Sequence, residues 1–345
     1  LNRGVVQAAG RYALGLLLLG LSLAGCSKET PSSGGSSSVA QGGKPKIVFV
    51  FKVGGISYSD ACKAGAEQAN NDPKIDATVE YEAPDQASAG KQAEIIDQAR
   101  VGGANAIVVS PDDAQAVVPA LDKAADAGIQ TFTWDSDAPT SKRKFYVAAV
   151  DDVQIGVDIA DALAKAIGGK GKVLIFSGQR TAQNLNKHVE GMLEGFKKYP
   201  GITVAQPIYY NDDDKTKAVA LAVQALQANP DAVGIACANS VSPPAAGEAL
   251  RKLGRVGKVK VWGLALPSET RTYLKDGSVT GLYLWDPTKL TYYTAYLVRQ
   301  ALRGEMPKDG EMLPGLAQPI KVNGPIVTLP LRITITKDNV DQFPF

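Results

Sequence analysis

Ala104-Asn105-Ala106-Ile107-Val108-Val109 and Pro230-Asp231-Ala232-Val233-Gly234-Ile235 are built alike, a turn-forming Asn or Asp leading into an apolar run of strand length. Outward from the first, apolar runs at 47–51, 77–81, 106–109 and 130–134 alternate with Ala-rich helical stretches at 59–71, 86–102 and 114–127. Outward from the second, runs at 173–176, 203–209, 232–236 and 259–263 alternate with helical stretches at 186–199, 215–228 and 245–253. Such alternation implies a parallel sheet covered by helices on both faces. First strand to third spans a similar distance in each half, from Ile47 to Ala106 and from Val173 to Ala232. Two copies of one doubly wound α/β unit are the simplest account. One more strand is expected at 280–285, ending in Trp285-Asp286-Pro287 before a helix at 290–302.

Ligands of open parallel sheets gather beyond the carboxyl ends of the strands, where loops and helix N-termini converge. Two such lobes facing each other enclose a cleft suited to capture by hinge closure. The candidate site is therefore distributed over residues 52–58, 110–113, 134–137, 179–184, 238–242 and 264–267.

The start of the chain carries different information. Arg3 and Arg11 come before or at the edge of an uncharged, Leu-rich run at 12–25. That run is too short for a bilayer, which needs about 20 helical residues. The pattern is that of a secretory signal peptide over 1–25. Leu23-Ala24-Gly25-Cys26 has the form of a bacterial lipobox, making Cys26 the expected site of lipid attachment. Residues 26–45, rich in Ser and Gly, are expected to act as a flexible tether. The expected location is extracytoplasmic, lipid-anchored to the cell membrane, on the periplasmic side in a Gram-negative cell.

The whole chain has 37 Lys and Arg against 35 Asp and Glu. Loss of Arg3 and Arg11 with the signal peptide leaves it formally neutral, which gives no electrostatic reason to bind nucleic acid. Cys62 and Cys237 fall in different halves and are expected as free buried thiols rather than a disulfide stapling the lobes. No cysteine pair has metal-ligand spacing. Neither G-x-G-x-x-G nor G-x-x-x-x-G-K-[ST] is present, and one His without G-x-S-x-G leaves triad hydrolysis unsupported. An enzyme is therefore not expected, nor a metal or cofactor; Asp135-Ser136-Asp137 is a bare D-x-D, a weak metal pattern. His188 is expected on a helix surface, and Asp212-Asp213-Asp214 as a solvated turn capping the helix at 215–228.

From Lys46 to Arg303 the residues resemble the periplasmic sugar-binding proteins of ABC importers, in the branch with rhamnose-binding and autoinducer-2-binding members. The most specific pieces are Thr133-Trp134-Asp135-Ser136-Asp137, Tyr210-Asn211-Asp212 and Gly281-Leu282-Tyr283-Leu284-Trp285-Asp286. The resemblance implies a type I periplasmic binding protein fold with a hinge. The chain would cross between lobes near 150, 280 and 308. Lobe one would comprise 46–149 plus 281–307, and lobe two 150–280 plus 308–345, with 328–335 as a strand added to lobe two.

The resemblance also implies roles. Lys52 matches a basic side chain donating to ligand hydroxyls, Asp135 a carboxylate accepting from two of them, and Gln183 an amide on the facing lobe. Such groups suit a polyol, whose hydroxyls need both donors and acceptors. Trp134, Trp285 and Tyr58 offer apolar faces for the C–H side of a sugar, though both tryptophans also read as core residues. Asn239 and Asp286 complete the candidate ligand set, Asp286 reading equally as a turn and N-cap. On this reading Asp135→Ala weakens binding at least tenfold with the fold intact. Departures concern the ligand: Ala182, Cys237 and Asn239 break the autoinducer-2 pattern, and Ala265 stands where the ribose branch places Asp.

The implied function is solute capture for an ABC transporter permease by a monomer. The alternative is a sensor lipoprotein presenting a sugar or autoinducer-2 to a membrane receptor. A transcription regulator on the same two lobes would need a DNA-reading segment where the signal peptide and tether lie.

Overall fold

A computed structural model describes residues 43–343 and 345. The signal segment, Cys26 and the tether up to residue 42 lie outside the described residues.

The first sheet is built from β1 (Lys46–Val50), β2 (Thr78–Glu82), β3 (Ala106–Val109), β4 (Gln130–Trp134) and β5 (Tyr146–Ala148). They run parallel in the order β2-β1-β3-β4-β5, with α1 (Ser57–Asn71), α2 (Ala89–Val101) and α3 (Val118–Asp126) as crossovers. Successive strand side chains point to opposite faces. Ile47 and Phe49 accordingly join a core with Cys62 and Ala66 of α1, while Val48 and Val50 pack with Ile96 of α2 and Leu121 of α3. Burial on both faces is why these strands read as unbroken apolar runs.

The second sheet repeats the plan. It uses β6 (Lys170–Ser177), β7 (Gly201–Val204), β8 (Tyr209–Tyr210), β9 (Ala232–Cys237), β10 (Lys260–Leu264) and β11 (Gly281–Leu284). β6 lies between β9 and the β7/β8 edge, and β10 and β11 follow β9 outward, all in parallel. Its helices are α4 (Asp152–Ala166), α5 (Gln183–Lys197), α6 (Lys215–Ala228), α7 (Ser242–Lys252) and α8 (Pro267–Lys275). The expected strand at 203–209 is thus two short strands. α4 has no counterpart among the expected helices; Asp151 caps it, accepting from Val153 N and Gln154 N. α4 packs on α5 at unusually close range, where Gly156 and Gly191 leave room for the backbones. A Cβ on Gly191 would lie 2.0 Å from Val153 O.

The chain passes between the sheets at 149–151, near the expected place, but the other two passages differ from expectation. Trp262 pairs with Gly281, so β11 belongs to sheet two, and the second passage is at 285–286 rather than near 280. Of residues 281–307 it is α9 (Pro287–Leu302) that returns to lobe one, seated on α1 where Gly65 admits Thr288 and Thr291. The third passage is at 329–332 rather than near 308. β12 (Lys321–Asn323) and β13 (Ile326–Thr328) extend sheet one, because β13 pairs parallel with β5. β14 (Ile333–Ile335) pairs antiparallel with β11 in sheet two. The strand expected at 328–335 is therefore split by the passage itself, which carries Pro330. The expected lobe boundaries at 281–307 and 308–345 are corrected accordingly.

Cys62 and Cys237 are both buried and free, and burial pushes both thiols up. Among the described residues no helix is long and apolar enough to cross a membrane.

Candidate ligand-binding site

The carboxyl ends of both sheets face one cavity, partly open to solvent, whose empty space comes to about 490 Å³ with that solvent counted. Five of the eight expected ligand residues line it: Lys52, Tyr58, Asp135, Asn239 and Trp285. Lys52 follows β1, Tyr58 lies in the first turn of α1, Asp135 follows β4, Asn239 follows β9 and Trp285 follows β11.

Asp135 is 6% exposed and sits in the left-handed backbone region at φ 61°. That conformation costs about 1–3 kcal/mol in a residue other than glycine. Lys52 Nζ and Ser110 Oγ donate to its Oδ2 at 2.8 and 2.9 Å. Tyr58 Oη donates to Oδ1 at 2.8 Å and itself accepts from Trp285 Nε1 at 2.7 Å. Burial, with Asp135 second, raises the Tyr58 phenol well above its usual range, so it stays a donor. A carboxylate has about four lone-pair sites, and the protein itself fills three.

Lys52, 5% exposed, spends a second N–H on Asn184 Oδ1 of lobe two at 3.1 Å. The lobe-two amide that meets Lys52 is thus Asn184, the neighbour of the expected Gln183. Gln183 opens α5 and is absent from the cavity wall, its buried Oε1 unpartnered among the described residues. Two further expectations are corrected. Trp134 is fully buried in the core of sheet one, edge-on to Phe49 at 5.2 Å and against Phe51 at 5.6 Å. Asp286 caps α9, accepting from Thr288 N and Lys289 N, and does not line the cavity.

Sequence reasoning also missed residues. Asp213, expected as a solvated turn, is buried and lines the cavity from lobe two beside Asn239, whose Nδ2 donates to its Oδ1 at 2.7 Å. Its neighbour Asp214 does cap α6 as expected, accepting from Lys217 N. His188 is buried rather than exposed: Nδ1 lies 3.0 Å from Ala238 O and Nε2 3.3 Å from Asp152 Oδ1. Asp137 is taken by Arg143 and Thr133, which removes the D-x-D from consideration as a metal pair. Among the described residues no cluster could hold a metal ion.

Ser240 and apolar side chains from both lobes, Phe51, Val53, Ile56, Leu185 and Leu264 among them, complete the wall, so each lobe brings both polar groups and hydrocarbon to the cavity. Lobe-to-lobe bonds surround it: Thr181 Oγ1 to Asp112 O at 3.0 Å, and Ser57 Oγ to Glu269 Oε1 at 2.6 Å. Such an arrangement binds, orients and desolvates a small molecule by closing on it.

The model of the periplasmic binding protein domain matches residues 47–306. The D-ribose/D-allose-binding protein of Pseudomonas aeruginosa is 26% identical over 317 residues, covering 87% of this chain and 96% of its own. LsrB from Clostridium saccharobutylicum, solved in complex with AI-2, shares 28% identity at a TM-score of 0.79, covering 87% of this chain and 100% of its own. An ABC transporter solute-binding protein from Clostridium phytofermentas with bound L-rhamnose shares 25% at 0.80, over 87% and 98%. With two repeated lobes, three passages between them and a cavity at the facing strand ends, this chain belongs to the periplasmic binding protein family.

Proposed function

We propose that the protein is the solute-binding component of an ABC importer, capturing a monosaccharide or sugar-like polyol between its lobes. The observation that carries this reading is the cavity between the facing strand ends, lined by both polar and apolar side chains, with Lys52, Tyr58, Asp135, Asn239 and Trp285 as its ligand-contacting set. The donors and acceptors in that wall suit hydroxyls, and its hydrocarbon suits a C–H face or a methyl group. The relatives that match over most of their length bind ribose, allose, rhamnose or AI-2 by name. Closure around the ligand would shift the population of joined lobes and present both lobe surfaces to a permease. In the same reading the protein acts as a monomer outside the cytoplasm, held to the membrane by lipid on Cys26; loss of detergent-phase partitioning in Cys26→Ala would support the anchor.

A thermal-shift screen against pentoses, hexoses, 6-deoxyhexoses, polyols and autoinducer-2 tests the substrate class. A ligand at 100 times its dissociation constant stabilises by about 2.7 kcal/mol. A panel with no member raising the melting temperature would reject sugars and leave the fold untouched.

A further inference from the structure

Hydrogen-bond capacity is unevenly left over in the cavity. Asp135 has three protein donors, and Lys52 gives two of its three N–H groups to Asp135 and Asn184. Lobe one therefore retains about one acceptor site and one donor for a ligand. Asp213 differs. Among the described residues only Asn239 donates to its carboxylate, at Oδ1. The carboxylate is held in place by more than that bond. Its backbone is left-handed at φ 57°, following Asp212 at φ 55°. Gly178, at the end of β6, makes room for it: a Cβ there would sit 2.4 Å from Asp213 Oδ1. Asn239 is fixed in turn by Asn211 Oδ1 at 2.9 Å and by the Ser242 hydroxyl, and Asn211 Oδ1 accepts from Asp213 N at 3.0 Å.

We infer that Asp213 is the principal carboxylate acceptor for the ligand and a specificity-determining residue, which makes the cleft select uncharged hydroxyl donors and reject anionic sugars. This rests on the reading of the cavity as a sugar site. A buried carboxylate short of donors is costly in the empty protein, and burial indeed raises the Asp213 carboxyl, with Asn239 and Lys52 opposing. Asp135 and Asp212 face it and add repulsion, as does Asp112 across the cleft. One ammonium, Lys52, stands among these carboxylates. A ligand hydroxyl supplies the missing donor; a ligand carboxylate or phosphate meets like charge instead.

The test is calorimetric titration of D-ribose, D-arabinose and L-rhamnose, each beside its aldonate, into the wild type and Asp213→Asn, with melting of both proteins without ligand. The expected result has three parts. Asp213→Asn loses at least tenfold in affinity for whichever sugar binds. Its preference for that sugar over the aldonate narrows by tenfold or more. Its ligand-free melting temperature rises by about 2 °C or more, as a residue held for a ligand rather than for the fold would allow. Affinity within twofold of wild type, or a lower melting temperature in the variant, overturns the assignment. If no sugar binds the wild type, the sugar reading fails, and the ligand-free melting alone decides whether Asp213 is a structural residue.

Discussion

Asp135 holds together Lys52, Tyr58 and Ser110 before any ligand arrives, and this changes what its removal should do. Asp135→Ala strands Lys52, 5% exposed, and orphans Ser110 and Tyr58 as well. Breaking a buried pair by removing one partner costs about 3–5 kcal/mol. The variant is therefore expected to lose stability as well as binding, where the sequence alone suggested an intact fold; chemical denaturation checks the difference. Asp112 gives a pH prediction. Its carboxylate has no hydrogen-bond partner among the described residues, and burial pushes it up to about 6. An unfolded Asp titrates near about 3.9, so between about pH 4 and 6 the folded protein binds a proton that the unfolded chain does not. Stability should rise as pH falls through that window. Asp112→Asn should reduce the rise measured by melting across pH; an unchanged slope would assign it to other groups. These residues also mark the limits of reading side chains from sequence. The strand-end rule located Lys52, Tyr58, Asp135 and Asn239, because topology alone fixes those ends. It could not separate Gln183 from Asn184, which stand about 100° apart around one helix. Nor could it separate Asp213 from the solvated Asp212 and Asp214, since two consecutive left-handed residues leave no mark in a run of three aspartates.

Elements were legible where burial imposes a period. β3, β4 and α6 fall on the residues expected, since apolar runs and an Ala-rich amphipathic stretch declare themselves locally. α4 went unread because it begins at the hinge, between the two repeats, where neither copy supplies a template. β12 and β13 went unread as members of sheet one because only pairing with β5 assigns them. The contact of α4 with α5 yields a prediction of its own. A methyl group at Gly191 would press on Val153 O at 2.0 Å, so the helices must separate. Gly191→Ala is expected to cost about 1–3 kcal/mol, the usual range for overpacking. It should also weaken ligand binding, because α5 carries Leu185 to the cavity and Asn184 to Lys52. Melting and titration of this variant check both; a neutral substitution would mean the helices already have slack.

At the scale of the molecule, three passages at 149–151, 285–286 and 329–332 join two sheets of one design, and Trp285 and Leu284 at the second passage line the cavity directly. Cavity wall and chain passage therefore share residues. Beneath the cavity Tyr146 Oη lies 3.0 Å from Asp135 O and 3.2 Å from Asp152 Oδ2, and Asp152 meets His188, so a buried polar chain crosses the first passage as well. In the proposed function, joining of the lobes and occupation of the cavity are one event. The most direct test is a crystal structure with the sugar that gives the largest thermal shift. The ligand should lie between Lys52 and Trp285 on one side and Asn239 on the other, with a hydroxyl within hydrogen-bond reach of Asp213. A sugar bound outside the cleft, or a cleft left empty at concentrations that saturate titration, would contradict capture between the lobes.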